Sequence, residues 1–157
     1  ETVRRYGVRQ AIKKGGQIAR VDNCDKLVDF YRSLMERQGE PQSSVRLSTM
    51  KNVIDVLLKA GRGSVYHVLN SGREVLYSIC YGWDSKRAYY LFGAGHPELS
   101  EPWQGTLAHW EAFKHMAQHL TINEVDMEGV NSPQRGWFKL GFGGNLTPYY
   151  HVYKKNI

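Results

Sequence analysis

A long run of alternating side chains between Ser64 and Phe92 constrains the fold more than any other part of this sequence. Residues 65–69, 74–83 and 88–92 are rich in Val, Ile and Tyr, residue types that favour β-strands. The polar segments between them, Asn-Ser-Gly-Arg and Asp-Ser-Lys, are typical of hairpin turns. The sequence therefore predicts three consecutive antiparallel strands, a sheet that other segments must cover.

The basic charge of the chain is concentrated in a first helix, predicted over residues 4–14, which paired glycines end before a short strand at residues 17–21. The first 20 residues carry six basic side chains and one acidic one, so most of the net charge of +6 lies here. This segment is expected to bind a local anion such as a phosphate, or to be a solvated basic helix face. Such a local charge does not favour an extended nucleic-acid-binding surface. Arg5 and Arg9 share a face of this helix and are the first candidates to bind a phosphate.

Two amphipathic helices are predicted between this strand and the meander. Asp22 or Asn23 can cap the first, and Ser48 or Thr49 can cap the second. Each should bury one apolar stripe against the sheet. The stripes consist of Leu27, Phe30, Tyr31, Leu34 and Met35 in the first helix, and of Met50, Val53, Ile54, Leu57 and Leu58 in the second.

A fourth helix, a strand, a short helix and a closing strand are predicted after the meander. The fourth helix covers residues 106–120, the strand lies around Val125, the short helix begins at Ser132-Pro133, and the closing strand covers residues 147–153. This order of elements predicts a mixed α/β sheet with helices on its faces. The stripe of the fourth helix that should face the core is Leu107, Trp110, Phe113, Ala117 and Leu120.

Glu111, His115 and His119 recur every four residues on the fourth helix, a spacing that could bind a metal. A solvated helix face is the favoured interpretation, because no fourth ligand is evident, and no metal is expected. Cys24 and Cys80 belong to no ligand motif and are expected to be reduced and structural.

The length and hydropathy of the chain favour one compact domain of a soluble, cytoplasmic protein. No apolar run is long enough to cross a bilayer, and no charged-then-apolar leader opens the sequence. Because the first residue is Glu1 rather than Met, an upstream part of the protein is expected to be missing.

Residues 124–144 carry the most suggestive chemistry. The strand that contains Asp126 and Glu128 stops at Gly129, and the short helix that follows carries Lys139. Carboxylates at a strand end, placed beside helix amides and a cation, can perform acid/base chemistry. An ordinary strand-to-helix connection with solvated charges is the alternative.

The order of the elements and three motifs resemble one protein family. The motifs are the basic stretch at residues 4–14, Phe30-Tyr31 before a Gly-Glu-Pro loop, and a C-terminal set formed by Asp126-Met-Glu-Gly, Phe138-Lys139 and Phe-Gly-Gly at residues 142–144. They resemble the Fem-like branch of the GNAT acyltransferases, also described as BioF2-like acetyltransferase domains. The resemblance implies a GNAT-like acyl-CoA N-acyltransferase fold, an α/β fold with an antiparallel three-strand meander and helices on both faces.

The resemblance covers essentially the whole chain. It implies a GNAT-like domain at residues 17–157, preceded by a basic helix at residues 1–16. Complete family members commonly have two such lobes, so this chain is expected to be the second lobe of a longer protein.

Acyl transfer to an amine is the implied reaction. Asp126 and Glu128, two residues apart, should share a strand face, where either acts as the base and the other raises its pKa. Lys139 would stabilise the oxyanion or hold a donor phosphate. Tyr149 and Tyr150 could act as the acid or line the acceptor groove, although at least two of Tyr149, Tyr150 and Tyr153 are expected to pack on the sheet.

Acetyl-CoA or another acyl-CoA is the implied co-substrate. Backbone amides at the start of the fourth helix could hold its phosphates, and the candidate cofactor-binding residues are Gly93, Gly95, Gln104, Gly105 and Thr106. The usual GNAT pyrophosphate loop, Gln/Arg-x-x-Gly-x-Gly/Ala, is not found there, so an aminoacyl-tRNA donor stays open. The long helical arm of the aminoacyl-transferring members is absent as well.

The implied acceptor is a small-molecule amine, such as that of a cell-envelope sugar, a peptidoglycan precursor or a nucleotide-activated sugar, which would place the protein in cell wall biogenesis. Arg5, Arg9, Phe138 and Tyr150 are the candidate substrate-binding residues. A rival interpretation is a non-catalytic GNAT-like lobe that binds nucleotide, tRNA or a partner chain.

Overall fold

The computed structural model describes residues 2–130, 132–150 and 152. The elements in chain order are α1 (Thr2–Lys13), β1 (Gln17–Val21), α2 (Asp25–Arg37), α3 (Ser44–Lys59), β2 (Gly63–Leu69), β3 (Val75–Trp83), β4 (Arg87–Gly95), α4 (Gln104–His119), β5 (Glu124–Asp126) and α5 (Pro133–Leu140). This order confirms the predicted α/β class and the three-strand meander. No helix among the described residues is long and apolar enough to cross a membrane.

The five strands form one sheet in sequence order, β1-β2-β3-β4-β5. The first three pairings are antiparallel, and β4 pairs with β5 in parallel. That last pairing extends only from Arg87 opposite Glu124 to Tyr89 opposite Asp126. Beyond Tyr89 strand β4 has no pairing with β5, which ends at Asp126, so the sheet is open on this side of the remainder of β4.

Helices cover both faces of the sheet, as predicted. α2 and α3 cover one face, where Leu27, Ile54, Val65 and Cys80 are fully buried. α4 covers the other face, and α1 packs on α4. The second core includes Val68, Ile79, Tyr81, Leu107 and Met116.

Two helix predictions need correction. α3 begins one turn before the predicted caps, because Ser43 is extended and its side chain accepts the backbone N–H of Arg46 at 3.3 Å. Ser48 and Thr49 therefore lie inside the helix. In α4 the buried face consists of Thr106, Leu107, Ala108, His109, Ala112 and Met116, whereas Trp110 is 43% exposed and Ala117 is exposed. The small residues Ala108 and Ala112 let α4 approach the sheet closely. The predicted stripe was partly wrong because it was drawn through the large apolar residues of the helix.

The predicted closing strand at residues 147–153 is wrong for the part that the structure describes. Residues 147–150 are exposed and form no strand, and residues 151 and 153 lie outside the described residues. Pro148 has no N–H to donate to a ladder, and alternation alone does not provide a neighbouring strand.

The capping of α3 gives a direct test of this fold. Replacing Ser43 by Ala should lower the free energy of unfolding by about 1 kcal/mol, because the N–H of Arg46 loses its acceptor. The matched control is Ser48→Ala, an exposed position inside α3 where Ala is the better helix former. Urea unfolding of both variants measures the difference, and a larger loss for Ser48→Ala would contradict the observed start of α3.

Candidate active site

The opening between β4 and β5 is bordered by a tight acidic turn. β5 ends at Asp126, whose Oδ1 accepts the backbone N–H of Glu128 at 2.8 Å. Glu128 adopts a left-handed backbone conformation with φ of 62°. The prediction that these two carboxylates share a strand face is therefore wrong, because the strand has already ended. Asp126 instead fixes the turn that carries Glu128.

Lys139 lies across this turn on α5, as the motif predicted. Its Nζ donates to the carbonyl oxygen of Gly129 at 2.8 Å and lies 5.6 Å from the centre of the Tyr90 ring. Burial and the charge of Arg135 lower the pKa of Lys139, while Glu128 and Asp126 oppose that shift. The fold thus brings the predicted cation and the two predicted carboxylates into one electrostatic group.

Local sequence explains why α5 occupies this place. The side chain of Ser132 accepts the N–H of Arg135 at 3.4 Å, and Pro133 opens the helix. Phe138 and Phe142 face inward and form an aromatic cluster with His109 and Phe113. Trp137 stays 62% exposed.

A buried His–Tyr pair lies behind the opening, and the sequence analysis did not identify it. Nδ1 of His109 is 2.7 Å from the hydroxyl of Tyr81, which also lies 3.3 Å from the sulfur of Met127. Burial, reinforced by the charges of Lys139 and Arg4, lowers the pKa of His109 to about 3. This histidine is neutral at physiological pH. Its position one helical turn before Ala112 and two before Met116 is the sequence signal that could have placed it in the core.

Arg4 is the second residue that the sequence analysis missed. It is 8% exposed, and its guanidinium lies over the rings of Trp137, Phe138 and Phe142 at 4.6, 4.3 and 5.5 Å. Nη1 donates to the hydroxyl of Thr106 at 3.3 Å. Nε and Nη2 are buried and have no hydrogen-bond partner among the described residues. Arg4 lies four residues before Val8 and seven before Ala11, so it shares the apolar face of α1, and this spacing was the sequence signal for its burial.

Gly141 gives this guanidinium its room. A Cβ at Gly141 would lie 2.7 Å from Nε of Arg4. The φ of Gly141 is −61°, a value open to any residue, so space rather than backbone conformation requires glycine here.

The predicted cofactor-binding residues gather where β4 ends and α4 begins. Gly95 lies against the side-chain amide of Gln104, Gly105 lies against the ring of Phe138, and Thr106 is buried beside Arg4. A Cβ at Gly93 would overlap the hydroxyl of Tyr90, whose side chain covers this glycine. Their role as cofactor-binding residues stays a prediction.

Other predicted site residues lie on the surface. Arg5 and Arg9 are exposed on α1. Tyr149 and Tyr150 are 81% and 83% exposed, so the expectation that two of the C-terminal tyrosines pack on the sheet is wrong for these two, while Tyr153 lies outside the described residues.

The prediction of a solvated face for Glu111, His115 and His119 on α4 holds for the exposed His119 and is wrong for His115. His115 is half-buried and contacts both Arg20 and Tyr66. Within the described parts of the chain, no group of three His, Cys, Asp or Glu side chains could hold a metal ion.

Comparison with known proteins gives a consistent result. A family profile described as an acetyltransferase (GNAT) domain matches residues 2–138. The comparison with curated protein sequences gave no match. Among solved structures, a possible acetyltransferase from Clostridium difficile 630 superimposes with a TM-score of 0.67 at 12% identity, covering 90% of this chain and 97% of that one.

Two further structures are similar in fold. FemX gives a TM-score of 0.69 at 14% identity, and the match covers 89% of this chain but only 52% of FemX. AAC(6')-Iy in complex with a CoA-containing bisubstrate analogue gives a TM-score of 0.63 at 10% identity, covering 90% of this chain and 99% of that one. At these identities the likeness concerns the fold.

The burial of His109 predicts an acid-dependent loss of stability. The unfolded chain protonates this histidine below pH 6.5, whereas the folded chain keeps it neutral down to about pH 3. Its contribution to the free energy of unfolding should therefore fall by about 1.4 kcal/mol per pH unit between these values. His109→Asn retains a polar group near Tyr81 but does not titrate. Chemical unfolding at several pH values should show a steeper acid loss for the native chain, and equal slopes would contradict the burial of a neutral His109.

Proposed function

We propose that this chain, which belongs to the acetyltransferase (GNAT) domain family, transfers an acetyl group from acetyl-CoA to the amine of a cell-envelope precursor. The N-acyltransferase class follows from the family. The identities of the donor and the acceptor are what we propose. The main observation in support is the opening between β4 and β5, with Glu128 and Lys139 at its border.

The start of α4 supports a donor that carries phosphates. The N–H of Gln104 donates to the carbonyl of Glu101, but Trp103 gives the following N–H groups of this helix no side-chain cap, and amides at a helix N-terminus favour an anion. Arg4 reaches this first turn, where its Nη1 donates to Thr106, and its Nε and Nη2, which lie beside Gly141, have no hydrogen-bond partner among the described residues. These residues fit the phosphates of acyl-CoA, whose thioester would supply the carbonyl that the amine attacks. Two structures of similar fold support this donor, because they are described as complexes with acetyl-CoA and with a CoA-containing analogue.

The acidic turn supports a role for Glu128 as the general base. An amine that attacks a carbonyl must lose a proton, and Glu128 presents an exposed carboxylate at the opening. Asp126 already accepts the N–H of Glu128, so we assign it to hold the left-handed turn rather than to take the proton. Lys139, held by the carbonyl of Gly129, would stabilise the negative charge that develops on the carbonyl oxygen.

The acceptor is inferred from the Fem-like motifs. The Asp126-Met-Glu-Gly turn and the Phe138-Lys139 pair form the border of the site, where an amine would have to approach. The chain spans about half of FemX, so a second lobe that completes the acceptor site is part of the proposal. Tyr149 and Tyr150 remain candidates for contacts with the acceptor.

One observation favours the rival, a non-catalytic lobe that binds nucleotide, tRNA or a partner chain. The hydroxyl of Tyr90 covers Gly93, and Phe138 and Arg4 cover Gly105 and Thr106, so side chains fill part of the space that a bound donor would need. If the protein is an acetyltransferase, these side chains must move when the donor binds. A non-catalytic lobe would not need this movement.

Replacing Glu128 by Gln tests the catalytic assignment. We expect kcat/KM to fall about 100-fold or more, since Gln cannot accept the proton of the amine. Release of free CoA from acetyl-CoA, with amino-sugar nucleotides and lysine-containing peptidoglycan precursors as acceptors, measures the rate. Glu98→Gln, which removes an exposed carboxylate from the loop after β4, is the control. Full activity of Glu128→Gln would refute the assignment, and CoA binding without turnover of any acceptor would favour the rival.

Replacing Arg4 by Met tests the phosphate site. Charged hydrogen bonds contribute roughly 1.5–3 kcal/mol, so the affinity for CoA should fall at least tenfold, while the affinity for pantetheine, which lacks phosphates, should not change. Lys13→Met removes an equal charge from the exposed end of α1 and should bind CoA normally. Calorimetric titration of the native chain and of both variants with CoA and with pantetheine measures these affinities. An equal loss for CoA and pantetheine would show a structural role for Arg4 instead.

A further inference from the structure

The flank of α4 opposite α5 holds a second convergence of polar side chains. Arg20 on β1 and Tyr66 on β2 are directly paired across the two strands and so point to the same face of the sheet. α4 places His115 on top of both. Nε2 of His115 lies 2.6 Å from Nη1 of Arg20, and Nδ1 lies 2.8 Å from the hydroxyl of Tyr66.

The protonation of this group follows from its geometry. A guanidinium can only donate, so Nε2 of His115 must accept the hydrogen bond from Arg20. The proton of the imidazole is then on Nδ1 and is donated to the oxygen of Tyr66. Burial and the charges of Arg20 and His119 lower the pKa of His115, which favours this neutral form. The contact with His115 thus orients Arg20 without neutralising its charge.

The charge of Arg20 has no carboxylate partner in the described parts of the chain. Lys114, a cation on α4 that also lines this side, is paired with Glu111 at 2.8 Å, and the ring of His119 lies 5.3 Å from that of His115. A guanidinium held by one Nη atom keeps its other edge available, and that edge matches the two oxygens of a carboxylate or phosphate.

The space in front of Arg20 is large enough for an organic ligand. A cleft of about 470 Å³ lies between α4 and strands β1 and β2. A second cleft of about 840 Å³ shares Arg20 and His115 with the first and extends to Lys59 and Trp83. Volumes of this size are typical of small-molecule sites.

We propose that this cleft binds the oxyanion of a small organic ligand, a carboxylate or a phosphate, through the guanidinium of Arg20 that His115 and Tyr66 hold in place. The site is separate from the opening between β4 and β5, because strand β3 lies between β4 and the strands β1 and β2 that line the cleft. The proposal does not depend on the acyl transfer described above.

Titration of the protein with sodium phosphate and with sodium acetate, at constant ionic strength and monitored by ¹H–¹⁵N NMR, tests the proposal. We expect saturable shifts of the Nε–H of Arg20 and of the amides of residues 114–119, and the tighter of the two anions identifies the ligand class. Arg20→Gln should weaken binding at least tenfold. Arg46→Gln, which removes an equal charge from α3 on the other face of the sheet, should leave binding unchanged.

Tyr66→Phe separates a built site from simple charge attraction. It retains the aromatic ring and removes only the hydroxyl that orients His115, so binding should weaken several-fold while the amide spectrum stays folded. Shifts that rise linearly without saturation, an equal response of Arg20→Gln and Arg46→Gln, or unchanged binding by Tyr66→Phe would each overturn the proposal.

Discussion

The three-residue parallel pairing of β4 with β5 is the constraint on which the rest of the site depends. Because the pairing stops at Asp126, the chain must leave the sheet there, and the side chain of Asp126 bends it into the turn that carries Glu128. α5 then returns over the opening and brings Lys139 to the same turn. A longer β5 would have continued the sheet and closed the place where the predicted chemistry is concentrated.

The aromatic cluster under α5 contains the guanidinium of Arg4, a charged group that is unusual in an apolar core. Burying a guanidinium without a carboxylate costs several kcal/mol, and contacts with three aromatic rings offset only part of this cost. The same charge also helps to keep His109 neutral. Unpaired buried donors of this kind mark places where an anion would lower the free energy of the folded state, which is why Arg4 weighs more in the functional argument than the exposed Arg5 and Arg9.

Local periodicity was sufficient to predict β1, the meander and the order of the elements from α1 to α5, because these depend on neighbouring residues. Asp126, Glu128 and Lys139 were identified through their motif, although the two carboxylates were predicted on a strand rather than in a turn. Arg4 and His109 were not identified, since their roles arise from contacts with α5 and β3, far along the chain. The stripe of α4 was misjudged for a related reason: Ala108 and Ala112 face the sheet because they are small, which depends on how closely the helix approaches it.

The contact between Arg4 and Thr106 joins residues 102 positions apart, and the aromatic partners of Arg4 lie still later in the chain. During synthesis, α1 leaves the ribosome before α4 and α5, so its buried face has no complete environment until residue 142 has been made. The native packing of α1 therefore forms only after α5 has emerged, and until then the nascent chain exposes a basic, half-apolar helix. Such a segment is open to chaperones or to anionic surfaces until α5 has been made.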